Sequence, residues 1–299
     1  SDDSIAAIVS ADGEIRGLTP GTVTITAISQ QDTNVSASMR VTVSAVPEEN
    51  MITVQSGAEL TDALKVLEGS ENSAGDDVRL ITLNTQEETV TIPEGNYDNV
   101  MLIIDAPKAS IENKAHFKQI LINQIAENTW REDSENEIFL NSAKSHLIVD
   151  TNGRPNVYLL DNTESVTVDN KGNLQELLIA SAAKVLVKGN STASPIRCQC
   201  YNGSGNIGEL TTYVPLDIYS TTTYKLQISP GGEQTAVKVS GENDIPEISG
   251  LGKISVTIDS TGETRDIIAE NQGGFAELPP TKKKRKILKS ADSTEETVR

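Results

Sequence analysis

The sequence predicts an all-β protein whose main body is a parallel β-helix, preceded by a short capping helix and a small β unit. Three strand-like segments, Leu147–Asp150, Val166–Asp169 and Val185–Lys188, recur every 19 residues. A second family, Tyr158–Asp161 and Leu177–Ala180, lies between them with the same spacing. Two interleaved strand families with one period indicate a repeating coil, in which each strand stacks on its counterpart in the next coil.

Residues 1–45 form the predicted N-terminal β unit. Asp12-Gly13 favours a tight hairpin, because Gly accepts the positive φ that such turns require. Pro20-Gly21 favours a type II turn, and the alternating run Thr22–Ala27 is typical of a strand. We therefore expect four short strands. Residues 46–50 read as a linker, because they combine Pro with polar residues and have no periodicity.

The N-terminal unit resembles the C-terminal half of a group 2 bacterial Ig-like domain. Three segments carry the resemblance: Ser4–Ser10, Asp12–Thr22 and the closing strand Val41–Val43. The resemblance implies a partial β-sandwich without the opening strands, a spacer or adhesive role, and a chain that is part of a longer exported protein. It also implies that the face carrying Val23, Ile25 and Val41 is left partly open.

A capping helix is predicted directly after the linker. Ser56 and Glu59 have the spacing of a capping box, in which each side chain bonds a backbone N–H at the start of a helix. Apolar residues follow at helical spacing: Leu60, Ala63, Leu64 and Leu67. A helix immediately before a strand array is expected to close the open end of the coil.

Residues 51–272 are assigned to the β-helix. Within them, the region 51–190 resembles right-handed β-helix proteins of the pectin-lyase-like fold and surface proteins of Gram-positive bacteria. The resemblance rests on "TIPEGNYDNVMLIIDAPKASIEN" (91–113) and "TWREDSENEI" (129–138). It implies a right-handed coil on a bacterial protein, but it brings no particular activity with it.

Residues 273–299 lack any pattern and read as a disordered basic tail or linker. We expect the basic run Lys282–Lys286 to attract anionic wall polymers or acidic residues of another copy of the chain.

Composition limits the partners of the chain. The 299 residues carry a formal net charge of −18, and only 3% are aromatic. Such a surface repels nucleic acid and anionic membranes, and no apolar run has the length of about 20 residues that a membrane helix needs. We therefore expect neither nucleic-acid binding nor membrane insertion.

The two cysteines, Cys198 and Cys200, are expected to be free thiols in a strand, one pointing inward and one outward. The two histidines, His116 and His146, lie outside any Ser or Cys motif, so no catalytic triad is assigned.

Asp150 and Asp169 are the candidate catalytic or metal-binding pair. They occupy equivalent places one repeat apart, which would put two carboxylates on neighbouring rungs beside Lys188 and Arg154. Such a pair can hold Ca²⁺, the one cofactor considered, or act as acid and base on a sugar. The alternative is structural, since Asp at a strand end often starts an Asx turn.

Trp130, the only Trp, is the candidate ligand-binding residue. It lies in "NTWREDSENE", which reads as a charged insertion that interrupts the repeat. An indole exposed there could stack on a sugar, or the ring could pack the insertion against the coil.

These observations favour a non-enzymatic, extracellular protein, secreted or on the bacterial cell surface, in which the β-helix is a stalk or an adhesive module. The expected partners are a surface glycan, a cell-wall polymer or a host protein. The alternative is a polysaccharide lyase or glycoside hydrolase on the pectin-lyase-like fold.

Overall fold

The computed structural model describes residues 4–9, 13–29, 32, 34–68, 78–126, 130–180, 183–189, 194–200 and 208–220, and describes later strands by their backbone pairing. The N-terminal elements are β1 (Ala6–Ile8), β2 (Ile15–Gly17), β3 (Gly21–Ile28), β4 (Ser36–Val43), a 3₁₀ turn (Glu48–Asn50), β5 (Met51–Val54) and α1 (Gly57–Glu68).

The strands of the coil follow. They are β6 (Arg79–Asn84), β7 (Thr89–Ala106), β8 (Ser110–Ile125), β9 (Trp130–Glu132), β10 (Glu137–Leu140), β11 (Lys144–Val149), β12 (Asn156–Leu159), β13 (Ser165–Asn170), β14 (Glu176–Ile179), β15 (Lys184–Gly189), β16 (Ile196–Cys200), β17 (Gly208–Thr212), β18 (Leu216–Ser220), β19 (Tyr224–Ile228), β20 (Ala236–Ser240), β21 (Glu247–Gly250) and β22 (Gly252–Ile258).

The last described elements are β23 (Glu263–Ala269), β24 (Phe275–Ala276), β25 (Lys286–Ile287) and β26 (Glu296–Thr297). β23 pairs antiparallel with β22, and β24 pairs antiparallel with β21. The segment expected to be a disordered tail thus contains short strands, and β25 pairs with β26. Most of that segment, including positions 282–285 of the basic run, lies outside the described residues.

The main body is a parallel β-solenoid, as the interleaved strand families predict. β13 pairs in parallel with β11 and β15, while β12 pairs in parallel with β10 and β14. The same parallel stacking runs from β5 through β22. Side chains alternate between the inside and the outside of the coil, so that apolar residues on one side of every strand form a continuous core.

Helix α1 closes the first coil and begins with a variant of the predicted capping box, in which Glu59 bonds the N–H of Gln55 instead of that of Ser56. The Ser56 hydroxyl accepts a hydrogen bond from the Glu59 N–H at 3.1 Å, while the Glu59 carboxylate accepts one from the Gln55 N–H at 2.7 Å. Leu60 and Leu64 are fully buried against the core. The apolar stripe of the helix therefore covers the end of the core. Among the described residues, no helix is both long and apolar enough to cross a membrane.

Successive coils differ in length, which corrects the expectation of one constant period. Between β13 and β15, Val166 pairs with Val185, as the constant period requires. Between β11 and β13, Leu147 pairs with Val168 instead of Val166, so this coil is two residues longer. The additional residues are accommodated in the turns. Because side chains alternate with a period of two, such a slip leaves every side chain on the same face.

The close stacking of coils requires glycine at two turns. A Cβ at Gly172 would collide with the backbone of Thr151, and one at Gly189 would collide with the backbone of Asn170. Gly189 also has a φ of +128°, which side chains rarely adopt. These glycines let the chain turn against the coil below.

A second apolar cluster lies on the outside of the coil, under the N-terminal hairpin β1–β2. Leu121, Phe139, Tyr158 and Leu178 pair as successive rungs and point outward. They are nevertheless buried, because hairpin residues cover them: Ala7, Val9 and Leu18. The rings of Phe139 and Tyr158 stack with centroids 4.6 Å apart. Burial of each ring contributes on the order of 2 kcal/mol, so the hairpin is an integral part of the solenoid.

The hairpin β3–β4 is less covered. Its inner face pairs Val23 with Val41 and Ile25 with Met39. Val23 is buried, Ile25 and Val41 are half-buried, and Met39 is 55% exposed. The described N-terminal residues form two separate two-stranded sheets. The N-terminal antiparallel strands are present, but an Ig-like sandwich is not confirmed, and β1–β2 packs its apolar residues against the solenoid.

Candidate functional site

A groove of about 600 Å³ lies where the hairpin β1–β2 meets the coil. Its charged lining comes from elements far apart in sequence: Arg16 on β2, His116 and Lys118 on β8, Glu135 and Glu137 near β10, and Arg154 before β12. The volume falls within the range of about 300–1,000 Å³ that is usual for small-molecule sites. We take this groove, called the junction groove below, as the candidate site.

Arg16 fixes one wall of the junction groove. Its Nε and Nη2 donate to the Glu137 carboxylate at 3.1 and 3.3 Å, and its Nη1 contacts Glu14. Hydrogen bonding to Glu137 raises the pKa of the Arg16 guanidinium above its ordinary value. The Gln119 amide also donates to the Gly17 carbonyl of β2 at 3.4 Å. These polar contacts hold the hairpin at the rim of the groove, next to the buried outer cluster.

Two cations of the junction groove are available to a ligand. Lys118 and Arg154 are exposed, and neither forms an ion pair with another described residue. Glu135 is exposed beside them. The Oδ1 atom of Asn156 is buried and has no hydrogen-bond partner among the described residues. The groove thus offers positive donors and the Glu135 carboxylate as an acceptor, whereas the Asn156 oxygen is enclosed.

A buried carboxylate, Glu132, anchors the chain segment that contributes Glu135 and Asn136 to the junction groove. Glu132 is fully buried at the end of β9 and accepts hydrogen bonds from Asn113, Asn136 and Trp130 and from the Ser134 N–H, at 2.7 to 3.1 Å. Asn136 itself lines the groove. Glu132 therefore ties residues 134–136, of which Glu135 and Asn136 line the groove, to the core of the coil.

Burial dominates the electrostatics of Glu132. Desolvation raises the pKa of its carboxyl from 4.5 to about 7, although the hydrogen bonds from Asn136, Asn113, Trp130 and Ser134 act in the opposite direction. All of its hydrogen-bond donors are neutral. The carboxyl is consequently a positioning group, since ligands in the groove cannot reach an atom with no exposed surface.

Asp150 and Asp169 are not on equivalent rungs, which is a correction. Asp169 pairs with Ile148 of β11 and with Lys188 of β15, whereas Asp150 follows the end of β11. Asp150 binds the Arg131 guanidinium at 2.7 Å. Asp169 lies 3.9 Å from the Lys188 ammonium and 4.0 Å from that of Lys171. Each carboxylate has its own cation, and the difference in coil length separates them.

The turn contacts that the structural alternative expects of Asp150 and Asp169 are made instead by the next residue in each case. The Thr151 hydroxyl accepts a hydrogen bond from the Gly153 N–H at 3.0 Å, and the Asn170 side chain accepts one from the Leu174 N–H at 3.1 Å. The residue after each aspartate therefore makes the turn contact. Within the described part of the chain, no group of three or more His, Cys, Asp or Glu side chains could hold a metal ion.

Trp130 is a core residue. It is fully buried, pairs with Ile111 of β8 and Leu147 of β11, and donates its Nε1–H to Glu132 at 3.0 Å. The segment read as a charged insertion is an ordinary rung of the coil. Its indole is therefore unavailable for stacking on a sugar, and the packing alternative describes its position.

The two cysteines point to the same side, which corrects the expected arrangement. Cys198 and Cys200 are free and buried in the core, with sulfur atoms 3.8 Å apart. Residues i and i+2 of a strand share a face, so one inward and one outward thiol is not possible in a regular strand. Hydrogen bonding to Cys200, followed by burial, raises the pKa of the Cys198 thiol.

The two histidines are in different surroundings. His116 lines the junction groove, and its Nε2 lies 3.1 Å from the Asp98 carboxylate. His146 lies on β11, where burial and then the nearby Lys188 lower the pKa of its imidazole.

Sequence reasoning named Arg154 and His116 but missed the remaining charged members of the junction groove. Lys118 and Glu135 look like solvated charges on the printed sequence, and no motif connects them with Arg16. The burial of Glu132 could have been inferred from the sequence. Trp130 and Glu132 are two residues apart in a strand, so a Trp that points into the core places Glu132 on the same inward face.

Comparisons with known proteins find no matching family model, no matching curated protein and no matching solved structure.

Proposed function

We propose that this chain is a non-enzymatic binding module of an exported surface protein, in which the solenoid is a rigid stalk and the junction groove contacts a glycan. The observation that carries the proposal is that two exposed cations of the groove, Lys118 and Arg154, have no ion-pair partner among the described residues and lie beside the exposed Glu135 carboxylate. Saccharide hydroxyls and substituents need such a mixture of donors and acceptors.

The stalk role is supported by the architecture of the coil. Its strands stack in parallel from β5 through β22, and α1 closes the first coil. Stacked repeats give an elongated body whose contacts are between neighbours. A right-handed, pectin-lyase-like coil, a relationship to Ig-like modules and an extracellular location belong to the proposal. They rest on the sequence resemblances of residues 1–45 and 51–190.

The partner in this proposal is a surface glycan or a cell-wall polymer, and a host protein is the less favoured partner. Protein partners are usually anchored by aromatic side chains in desolvated pockets. Among the described residues that line the junction groove, the one Phe, Tyr or Trp is Phe117, which is buried and stacks on Tyr97 at 5.3 Å. The groove therefore favours a polar ligand.

A glycan array probed with the full chain tests the proposal. We expect retention of a restricted set of glycans, and we expect the variants Lys118→Gln and Arg154→Gln to reduce it. Lys65→Gln is the matched control, because Lys65 is an exposed cation on α1 that lies outside the groove. Binding that is unchanged in both groove variants would remove the junction groove from the proposal.

Catalysis on the same fold is the second candidate, since Glu135 and Glu137 line the groove together with two cations. A lyase or hydrolase would shorten the bound glycan and release new ends. Incubation of retained glycans with the chain, followed by mass spectrometry, measures this directly. Time-dependent products that disappear in Glu135→Gln would replace the binding proposal with an enzymatic one.

A further inference from the structure

Resting on the proposed function, we propose that the junction groove selects a saccharide with isolated carboxylates, in which a uronic acid alternates with a neutral sugar. Lys118 and Arg154 contact the carboxylate, and Glu135 accepts hydrogen bonds from neighbouring hydroxyls.

The available cations match a carboxylate. Arg154 can present two parallel N–H donors to the two oxygens of one carboxylate, and Lys118 adds a compact charge to the same ligand group. Arg16 lines the same groove, but its guanidinium is already bound by Glu137 and Glu14. The ligand therefore meets two uncommitted positive groups from two separate strands or turns of the coil.

The accessible acceptor of the groove matches hydroxyl groups. The carboxylate of Glu135 is exposed and lines the groove, so it can accept hydrogen bonds from sugar hydroxyls. The same carboxylate repels any further carboxylate of the ligand nearby.

Charge outside the groove explains why the carboxylates have to be isolated. The whole chain has a net charge of −18. A densely charged polyuronate would place its remaining carboxylates against this acidic surface, whereas neutral sugars between the charges avoid the repulsion. At physiological salt, charges more than about 8 Å away are largely screened. The two cations of the groove therefore govern one carboxylate, while the nearby acids Glu135, Glu137 and Asp98 repel its neighbours.

Calorimetric titration with three oligosaccharides of equal length tests the inference on the full chain. The first alternates glucuronate with N-acetylglucosamine, the second is its carboxyl-reduced form, and the third is oligogalacturonate. We expect the alternating oligosaccharide to bind most tightly. Lys118→Gln and Arg154→Gln should each weaken it about fivefold, with little effect on the carboxyl-reduced form. Lys65→Gln, an exposed cation outside the groove, should leave all three unchanged.

Each other outcome overturns a defined part of the proposal. Equal binding of the carboxyl-reduced form refutes carboxylate recognition but leaves glycan binding in place. Tighter binding of oligogalacturonate refutes the preference for isolated charges. Failure to bind any of the three, together with a glycan array that retains neutral glycans, refutes the acidic ligand alone. An array without any retained glycan refutes the proposed function as well.

Discussion

Replacing Glu132 by Gln should change how the stability of this protein depends on pH. The Glu132 carboxyl is fully buried and has no cationic hydrogen-bond partner among the described residues. Burial raises its pKa from 4.5 to about 7 in the folded chain. A folded state with the higher pKa binds the proton more tightly than the unfolded state. The stabilisation by the proton is therefore fully present below about pH 4.5 and is lost as the pH rises through about 7.

The expected size follows from this rise in pKa. Each tenfold change in proton affinity corresponds to about 1.4 kcal/mol, so a pKa that rises from 4.5 to about 7 amounts to about 3 kcal/mol. Other acidic groups also titrate in this range. The informative quantity is therefore the difference in the free energy of unfolding between wild type and Glu132→Gln. That difference should move in favour of Gln by about 3 kcal/mol between about pH 4.5 and pH 8.

Urea unfolding at a series of pH values, followed by circular dichroism, measures this difference. Glu135→Gln is the matched control, because Glu135 lies three residues later and is exposed. A difference between wild type and Glu132→Gln that stays constant over the whole pH range would refute the reasoning. It would mean that the hydrogen bonds from Asn113, Asn136 and Trp130 fully compensate the loss of water around the carboxylate.

Three further predictions concern buried side chains. Phe139→Ala removes the ring that the N-terminal hairpin covers. It should therefore lower the free energy of unfolding by about 3 kcal/mol and make the hairpin sensitive to limited proteolysis. A hairpin that stays protected from the protease would contradict its docking on Phe139. Trp130→Phe should lower the stability by about 1–2 kcal/mol through loss of the N–H donated to Glu132, and wild-type Trp fluorescence should resist quenching by acrylamide. Cys198 and Cys200 should resist iodoacetamide in the folded chain and react in urea; labelling of the native protein would show that the thiols are accessible.

The parallel coil and its capping helix were predictable because both depend on local patterns. Alternating apolar residues separated by turn residues indicate strands, and their recurrence indicates stacking. The capping box at Ser56 determines where α1 starts through contacts between residues close in sequence. These features need no knowledge of distant parts of the chain.

The exact register between coils was not predictable from the same pattern. Leu147 pairs with Val168 rather than with Val166, and this shift separates Asp150 from Asp169. A shift by two residues keeps each side chain on its face. The apolar pattern is therefore the same for either register, and turn packing between coils decides which one forms.

The junction groove depends on packing alone. Arg16 is far from Lys118 and Arg154 in the chain, and the three meet because the hairpin β1–β2 docks on the outer apolar cluster. The strand pattern of residues 1–45 was compatible with an independent sandwich. The outward ring of Phe139 provided a competing apolar surface, which only the folded coil brings together with its neighbours.

The mostly β character, the parallel coil, the start of the capping helix and the acidic character of the chain all follow from the sequence alone. These properties follow from residue type and spacing along one strand or one helix. The tertiary structure decided the register, the burial of Trp130 and Glu132, the docking of the hairpin and the groove that results. These features depend on which apolar surfaces, far apart in sequence, pack against each other. Because the hydrophobic effect is not directional, a short segment does not specify which apolar surface will cover it.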